Sequence, residues 1–231
     1  MIRSAMILAA GRGERMRPLT DTRPKPLVEV AGRSLLERSI DRLVDFGVTN
    51  IVVNVHYLGD QIVERLGNRV HIIREERLLD TGGSVRNALP LLGKGPFFVV
   101  NGDGLWRDGP TRPLLQRLVD FWNPKRMDAL LLLHSIHKVI GREAGERGDF
   151  FVEQEGHLRH RGLAQLAPYL FASISICDST LFQGAPEGPF SLLELWKRAE
   201  ARNRLCGLIH DGDWFHVGTP AALAVAERAL A

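Results

Sequence analysis

The sequence contains little cysteine and no cluster of basic residues. Of its 231 residues only two are cysteines, Cys177 and Cys206, and they occur without the Cys and His spacing of a zinc site. We therefore expect two reduced thiols in the protein interior rather than a disulfide or a metal centre. The 30 Lys and Arg against 27 Asp and Glu leave a net charge of +3, with no basic run long enough for a nucleic-acid arm. No nucleic-acid partner is expected.

Long apolar segments are also missing. The amino-terminal stretch MIRSAMILAAGRG has an apolar run of roughly six residues before its glycines, too short for a signal peptide or a spanning helix. We therefore expect a cytoplasmic protein without a membrane partner. A hydrophobic share of 45% and a charged share of 25% are typical of a globular chain with a sizeable core. The length is consistent with a single α/β domain over residues 1–231.

The first half alternates between strand and helix patterns. The apolar run Ser4–Leu8 ends at glycines and predicts a buried strand. The next segment has apolar residues at helical spacing, with Ser34 as N-cap, Glu37 three residues later and Gly47 as the stop. Further predicted elements are the strand 50–55, the helix 58–66, the strand 70–74, the helix 83–92 and the strand 97–100. This βαβ alternation predicts a parallel sheet with right-handed crossovers.

The second half changes character. Strand patterns occur at 129–133, 149–154 and 169–176, and helix patterns at 192–201 and 220–230. We expect this half to extend the sheet and to form the wall that selects a second substrate. The predicted fold is α/β, with a Rossmann-like mixed, mostly parallel sheet flanked by helices. Its ligand should bind at the carboxyl ends of the strands, where the glycine loop and Asn101-Gly-Asp103 lie.

The stretch with the clearest chemical meaning follows the first strand. It reads Gly11-x-Gly13-x-Arg15-Met16-x-Pro18-Leu19-Thr20, followed by Pro24-Lys25-Pro26-Leu27. Glycines after a strand let backbone N–H groups approach phosphate oxygens, and Arg15 and Lys25 would neutralise phosphate charge. The prolines restrict φ along the loop and would hold the cationic side chains in place.

Two better-known glycine motifs do not fit this stretch. A dinucleotide fingerprint needs a glycine where Met16 stands, and a P-loop needs Gly-Lys-Ser/Thr, which is absent. A glycine turn with solvent-facing arginines is the remaining alternative, and the spaced string with its Pro-Lys-Pro disfavours it. A glycosyltransferase normally has Asp-x-Asp after a sheet strand, whereas this chain has Asn101-Gly-Asp103.

The whole set of motifs resembles the signature of the sugar-phosphate nucleotidyltransferases, the nucleotide-sugar pyrophosphorylases. The resemblance continues at Asp80-Thr-Gly-Gly83, Val100-Asn-Gly-Asp103 and Trp214-Phe-His-Val-Gly218-Thr219, in family order over most of the chain. It implies the nucleotide-diphospho-sugar transferase fold, with residues 1–125 as the nucleotide-binding half and 126–231 as the sugar-binding half. It also implies that a sugar 1-phosphate attacks the α-phosphorus of a nucleoside triphosphate and that pyrophosphate leaves.

The resemblance carries roles over to individual positions. It implies that Arg15 holds the leaving pyrophosphate and that Lys25 contacts the phosphates at the reacting centre. The implied nucleotide-binding residues are Ala10, Gly11, Gly13, Thr81, Gly82 and Gly83. Asn101 and Asp149 are candidates for substrate binding, and Asp149 lies in Arg147-Gly-Asp149-Phe150, about where larger members carry a Glu-Lys-Pro segment that is not found here. Asn54, Ser173 and Ser175 could also face the ligand, or be structural.

The expected cofactor is Mg²⁺, with Mn²⁺ as an alternative, and Asp103 is the candidate ligand because hard cations bind carboxylates beside substrate phosphates. The family usually has Asp as the second ligand where this chain has His216. Imidazole suits Zn, Mn or Ni better than Mg. His216 could bind the ion directly, act through water or hydrogen-bond a phosphate, and Asp211 and Asp213 lie nearby as possible substitutes.

The short length and the Ala-Ala-Gly opening resemble most the family members that join UTP to N-acetylmuramic acid 1-phosphate in cell-wall sugar recycling. Mannose, glucose or heptose 1-phosphate with another nucleoside triphosphate is the alternative within the family, and a phosphocholine cytidylyltransferase is a further relative. From a different class, the chain could be a catalytically silent nucleotide-binding regulator on the same fold. His216 keeps that hypothesis open, while Arg15, Lys25 and Asp103 weigh against it.

Overall fold

The computed structural model describes residues 2–142 and 145–230. Its strands, in chain order, are β1 (Ser4–Leu8), β2 (Glu29–Val30), β3 (Arg33–Ser34), β4 (Asn50–Val55), β5 (His71–Arg74), β6 (Pro96–Asn101), β7 (Leu105–Arg107), β8 (Ala129–Ser135), β9 (Phe150–Val152), β10 (Leu158–His160), β11 (Tyr169–Asp178), β12 (Leu205–Ile209) and β13 (Asp213–Phe215). Its helices are α1 (Leu35–Phe46), α2 (Gly59–Leu66), α3 (Asp80–Leu92), α4 (Leu114–Phe121), α5 (Leu192–Glu200) and α6 (Pro220–Leu230).

Among the described residues, nine strands form one mixed sheet that includes strands from both halves of the chain. Its order is β10-β9-β11-β6-β1-β4-β5, and β8 pairs with β11 and β12. The strands β5, β4, β1 and β6 are parallel to one another, whereas β11 runs antiparallel to β6 and to β8. The predicted fold class, a Rossmann-like mixed sheet flanked by helices, is confirmed.

Helices cover both faces of the sheet, so the side chains of β1 are buried on whichever face they point to. Ile7 packs in the cluster that contains Leu36 and Ile40 of α1, whereas its neighbour Met6 packs in the cluster that contains Val85 of α3. All of these side chains are buried. Successive side chains of a strand point to opposite faces, so a strand buried on both sides reads as a continuous apolar run.

The local signals predicted for α1 are present. The Ser34 hydroxyl accepts from the backbone N–H of Glu37 at 3.2 Å, and Gly47 ends the helix at φ 100°. Only glycine adopts such a φ without steric cost. The Glu37 carboxylate accepts from Ser34 and from Arg65 of α2. Burial alone raises the pKa of Glu37, but these hydrogen bonds outweigh it and leave the pKa below its ordinary value.

The structure corrects one predicted helix start and adds elements that the prediction lacks. Helix α3 begins at Asp80 rather than at Gly83, because the Phe190 carbonyl accepts from the amides of Gly82 and Gly83 and so supports a glycine-rich first turn. Helix α4 is missing from the prediction, although Leu114, Leu115 and Leu118 form one buried face at helical spacing. The strands β12 and β13 lack clear sequence signals. They form because the sheet and its neighbours supply their partners, as β8 does for β12 over Leu205–Ile209.

Two further expectations concern the cysteines and the membrane. Cys177 and Cys206 are both free and buried, and burial raises the pKa of the Cys177 thiol to about 12. No helix within residues 2–142 and 145–230 is long and apolar enough to cross a bilayer.

Candidate active site

A cleft of about 660 Å³ opens at the carboxyl ends of the parallel strands. The described residues that line it come from the loop after β1, the ends of β4 and β6, the start of α3 and the chain after β13. They include the predicted site residues Ala10, Gly11, Gly13, Arg15, Lys25, Thr81, Asn101 and Asp103. Parallel strands end at a common edge, which is why residues far apart in the sequence meet here.

The loop after β1 is shaped by its two glycines in different ways. Gly13 has φ 65°, and a Cβ on it would lie 2.8 Å from Lys25 Cβ, so both the turn and the close approach of Lys25 require glycine. Its carbonyl accepts from the Thr20 hydroxyl at 2.9 Å. A Cβ on Gly11 would meet no heavy atom within 4 Å, so open space lies beside this residue. A phosphate group can therefore approach the backbone at Gly11 directly.

Lys25 and Asp103 are in contact on one side of this cleft. Lys25 Nζ donates to Asp103 Oδ2 at 2.6 Å, with 12% of the lysine side chain and 36% of the aspartate side chain exposed. The turn that carries Asp103 is fixed on both sides, because Gly102 donates to the Leu8 carbonyl at 2.8 Å and Gly104 donates to the Asn101 carbonyl at 2.9 Å. One side of the cleft thus holds a cation and a carboxylate in contact.

The start of α3 forms the opposite wall. The amides of Gly82 and Gly83 donate to the Phe190 carbonyl at 2.8 and 3.1 Å, and neither glycine lines the cleft. Thr81 does line it, while its hydroxyl accepts from the Leu192 amide at 2.9 Å. Asp80 precedes it at φ 58°, a left-handed conformation that is strained for a non-glycine residue. Leu78 and Ser84 complete the cleft surface here.

A buried polar network connects the two walls. Asn54 in β4 accepts from the Ala9 amide at 2.9 Å and donates to the Glu75 carboxylate at 2.8 Å and to the Ser84 hydroxyl at 3.1 Å. Asn54 was a candidate from the sequence, whereas Glu75 was not, although its position directly after β5 places it at the carboxyl edge of the sheet. Phe190 was not predicted either, because the sequence offers no signal for it.

His216 lies beside a carboxylate that the sequence did not indicate. Its Nδ1 is 2.5 Å from Glu146 Oε1. The strand pair β7 and β13 brings this region to the Asp103 turn, and Gly218, two residues later, lines the cleft with Asp103. Carboxylates commonly orient metal-binding histidines in this way. The predicted substitutes Asp211 and Asp213 pair instead with Arg117 and Arg107.

Asp149 lies away from the cleft lining. Its Oδ2 accepts from the Phe171 amide at 2.9 Å, where the pairing of β11 with β8 shifts register between Phe171 and Ser175. Ser173, inside this shift, is buried at φ 66°, and Ser175 is fully buried. Asp149 therefore holds an irregular part of β11 in place, and its predicted contact with a sugar stays a prediction.

The described residues can hold a cation only if the phosphates of a bound substrate supply many of its coordinating atoms. Within residues 2–142 and 145–230 no group of three or more His, Cys, Asp or Glu is arranged to hold a metal ion. Asp103 nevertheless offers a cleft-facing carboxylate beside Lys25. Mg²⁺ is commonly bound by one or two carboxylates together with substrate phosphates, which matches this donor set.

An open α/β sheet with a glycine loop, a lysine and an aspartate at its carboxyl edge is suited to binding the phosphates of a nucleotide. Residues 5–145 match the MobA-like NTP transferase domain. Two N-acetylmuramate alpha-1-phosphate uridylyltransferases are similar over nearly the whole chain. The one from Caulobacter vibrioides is 42% identical over 98% of this chain and 96% of its own, and the one from Neisseria meningitidis serogroup B is 38% identical over 96% of both.

The fold comparison agrees with these matches. A UDP-glucose pyrophosphorylase bound to UDP-glucose superposes with a TM-score of 0.79 at 16% identity, covering 100% of this chain and 98% of that one. The chain belongs to the sugar-phosphate nucleotidyltransferase family, whose members join a sugar 1-phosphate to a nucleoside triphosphate.

Proposed function

We propose that the protein joins UTP to N-acetylmuramic acid 1-phosphate, forming UDP-N-acetylmuramic acid and pyrophosphate. The observation that carries the reaction is the cleft in which Gly11, Lys25 and Asp103 converge. The choice of UTP and of this sugar is supported by the two uridylyltransferases that match nearly the whole chain. The cytoplasmic location expected from the sequence remains part of this proposal.

The chemistry requires positioning and charge neutralisation rather than a covalent intermediate. The sugar phosphate oxygen attacks the α-phosphorus in line, and pyrophosphate leaves on the opposite side. In this proposal the backbone around Gly11 and Gly13 binds the triphosphate, Arg15 holds the departing pyrophosphate and Lys25 contacts the phosphates at the reacting centre. Arg15 and Lys25 both line the cleft, which supports these roles.

We assign Asp103 as the magnesium ligand, with His216 as the second. When bound there, Mg²⁺ supplies further neutralisation of the phosphate charge. The contact with Asp103 engages one of the three N–H groups of Lys25, so the other two can donate to phosphate oxygens. His216→Ala tests the second ligand: unchanged activity and unchanged metal dependence would remove it from the site.

The test is pyrophosphate release with UTP, N-acetylmuramic acid 1-phosphate and Mg²⁺. Asp103→Asn should lower kcat by about 10²–10³, the usual effect of removing one electrostatic stabiliser of a transition state. Asp120→Asn is the matched control, because Asp120 of helix α4 pairs with Arg112 and lies outside the cleft. This variant should retain full activity.

The substrate panel separates the alternatives. Turnover with mannose, glucose or heptose 1-phosphate or with another triphosphate would keep the reaction and change only its substrates. Nucleotide binding without turnover for any pair would favour a regulator on this fold. Retention of activity by Asp103→Asn would refute the assignment of the metal site.

A further inference from the structure

A bulge in β11 lies at the same edge of the sheet as the cleft. Ile174 of β11 pairs with Val100 of β6 in antiparallel register. The preceding residue of β11, Ser173, therefore lies beside Asn101, which lines the cleft. On the other side of β11 the pairing with β8 shifts register around this serine. Bulges of this kind often re-aim a side chain next to an active site.

Ser173 has a backbone conformation that glycine would adopt more easily. Its φ is 66°, in the left-handed region that costs free energy in residues with a side chain. The bulge does not itself require this cost, because a glycine would make the same turn without strain. The serine also lies against the turn that carries Asp103, since a Cβ on Gly104 would be 3.3 Å from Ser173 Cβ.

The hydroxyl of Ser173 takes no part in holding the fold together. Within residues 2–142 and 145–230 it makes no hydrogen bond to another group. It is not one of the unpartnered polar atoms that are sealed from solvent, although the residue as a whole is only 6% exposed. A strained residue whose polar atom reaches solvent without a partner in the protein is typical of a ligand contact.

The position of Ser173 in the sheet indicates which ligand it contacts. In the proposed reaction the pyrophosphate leaves toward Arg15 and the glycine loop after β1. In-line attack requires the sugar phosphate to approach the α-phosphorus from the opposite side. The sheet order β11-β6-β1 places β11 beyond β6 from that loop. The attacking phosphate therefore arrives at the Asp103 turn from the side on which Ser173 lies.

We infer that Ser173 binds the second substrate by donating its hydroxyl proton to a phosphate oxygen of the sugar 1-phosphate. This inference rests on the proposed function for the reaction and assigns a residue to its attacking substrate. A serine hydroxyl has one proton to donate, and a charged phosphate oxygen is a strong acceptor. The contact orients the phosphate that attacks, and it accounts for a serine at a position where glycine would be unstrained.

The test compares Ser173→Ala with Ser173→Gly. Both variants lose the hydroxyl, so in pyrophosphate release both should raise the KM for N-acetylmuramic acid 1-phosphate by about tenfold, the effect of one hydrogen bond to a charged group. Only glycine relieves the backbone strain, so Ser173→Gly should unfold roughly 2–4 °C above Ser173→Ala. Binding of UTP with Mg²⁺, measured by titration calorimetry, should be unchanged in both variants.

Ser175→Ala is the matched control on the same strand. Ser175 is fully buried, and its hydroxyl contacts the Cys177 thiol at 3.8 Å, so its removal should leave the KM unchanged. A purely structural role for Ser173 predicts another pattern, in which the KM follows stability and Ser173→Gly behaves like the unaltered protein. That pattern, an unchanged KM in both variants, or a matching loss of UTP binding would overturn the inference.

Failure of the proposed function gives a different result, because it is read from the unaltered protein. If that protein turns over another sugar 1-phosphate, the substrate assignment is wrong, and the same variants should raise the KM for that substrate. If it turns over none, the proposed function fails and the inference fails with it. Turnover by the unaltered protein with no change in the variants refutes the role of Ser173 alone.

Discussion

Replacing Gly82 by alanine separates the structural role of a motif glycine from a binding role. A Cβ at this position would lie 2.5 Å from Phe190 Cδ2 and 2.9 Å from the Phe190 carbonyl oxygen. Ordinary contact begins near 3.4 Å, so the ring and its backbone would have to move by close to an ångström. Phe190 is itself buried in the core between α3 and α5, which leaves it little room to move.

The expected cost follows from two terms. Overpacking of a dense core costs about 1–3 kcal/mol. Displacing Phe190 also weakens the hydrogen bonds that its carbonyl accepts from Gly82 and Gly83, each worth about 0.5–1.5 kcal/mol. The free energy of unfolding should therefore fall by about 2–4 kcal/mol. Each kcal/mol lost should lower the unfolding temperature by roughly 2–4 °C.

The assay is urea and thermal unfolding of Gly82→Ala beside Gly11→Ala. Gly11 has open space around a Cβ and no left-handed φ, so its variant should unfold close to the temperature of the unaltered protein. Its methyl group would occupy the space expected for a phosphate, and binding of UTP should weaken. Unfolding of Gly82→Ala at the original temperature would refute the account of why glycine is needed there.

Three further predictions concern charge, pH and thiol reactivity. Lys25→Met should lower kcat for pyrophosphate release by about 10²–10³; a change confined to KM would contradict a role at the reacting centre. Burial lowers the pKa of His210 from its ordinary value of 6.5, so the unfolded chain binds the proton more readily, and stability should be lost as the pH falls below about 6.5. Urea unfolding across that range checks this, with His210→Gln expected to flatten the slope. Cys177, buried with a pKa of about 12, should resist iodoacetamide in the native protein and react in urea.

Much of the first half of the fold is predictable because its signals are local. The apolar run of β1, the cap at Ser34 and the stop at Gly47 each depend on neighbours within a few residues, and the structure has all three at the expected positions. Strand β12 could not be found in this way. Its residues, Leu205–Ile209, pair with β8 more than 70 positions away in the sequence, and Gly207 interrupts its apolar pattern.

The residues of the site divide in the same way, into those that a sequence motif indicates and those that only folding brings together. The glycines, Lys25 and Asp103 are recognisable as a set because their residue types and order match a phosphate-binding arrangement, and the sheet edge brings them into one cleft. Their binding roles stay predictions. Glu75 and Glu146 have no motif of their own, and only folding places them beneath Asn54 and beside His216.

The sequence by itself determined the class of fold, the family and the residues that could handle phosphates, because periodicity, caps and motif spacing are written in order along the chain. Only the tertiary structure decided which polar groups are used up inside the protein. The hydrogen bonds among Asn54, Glu75 and Ser84 join positions 9 to 30 residues apart, and burial makes each of them obligatory. What the cleft can still donate or accept is set by those buried partners.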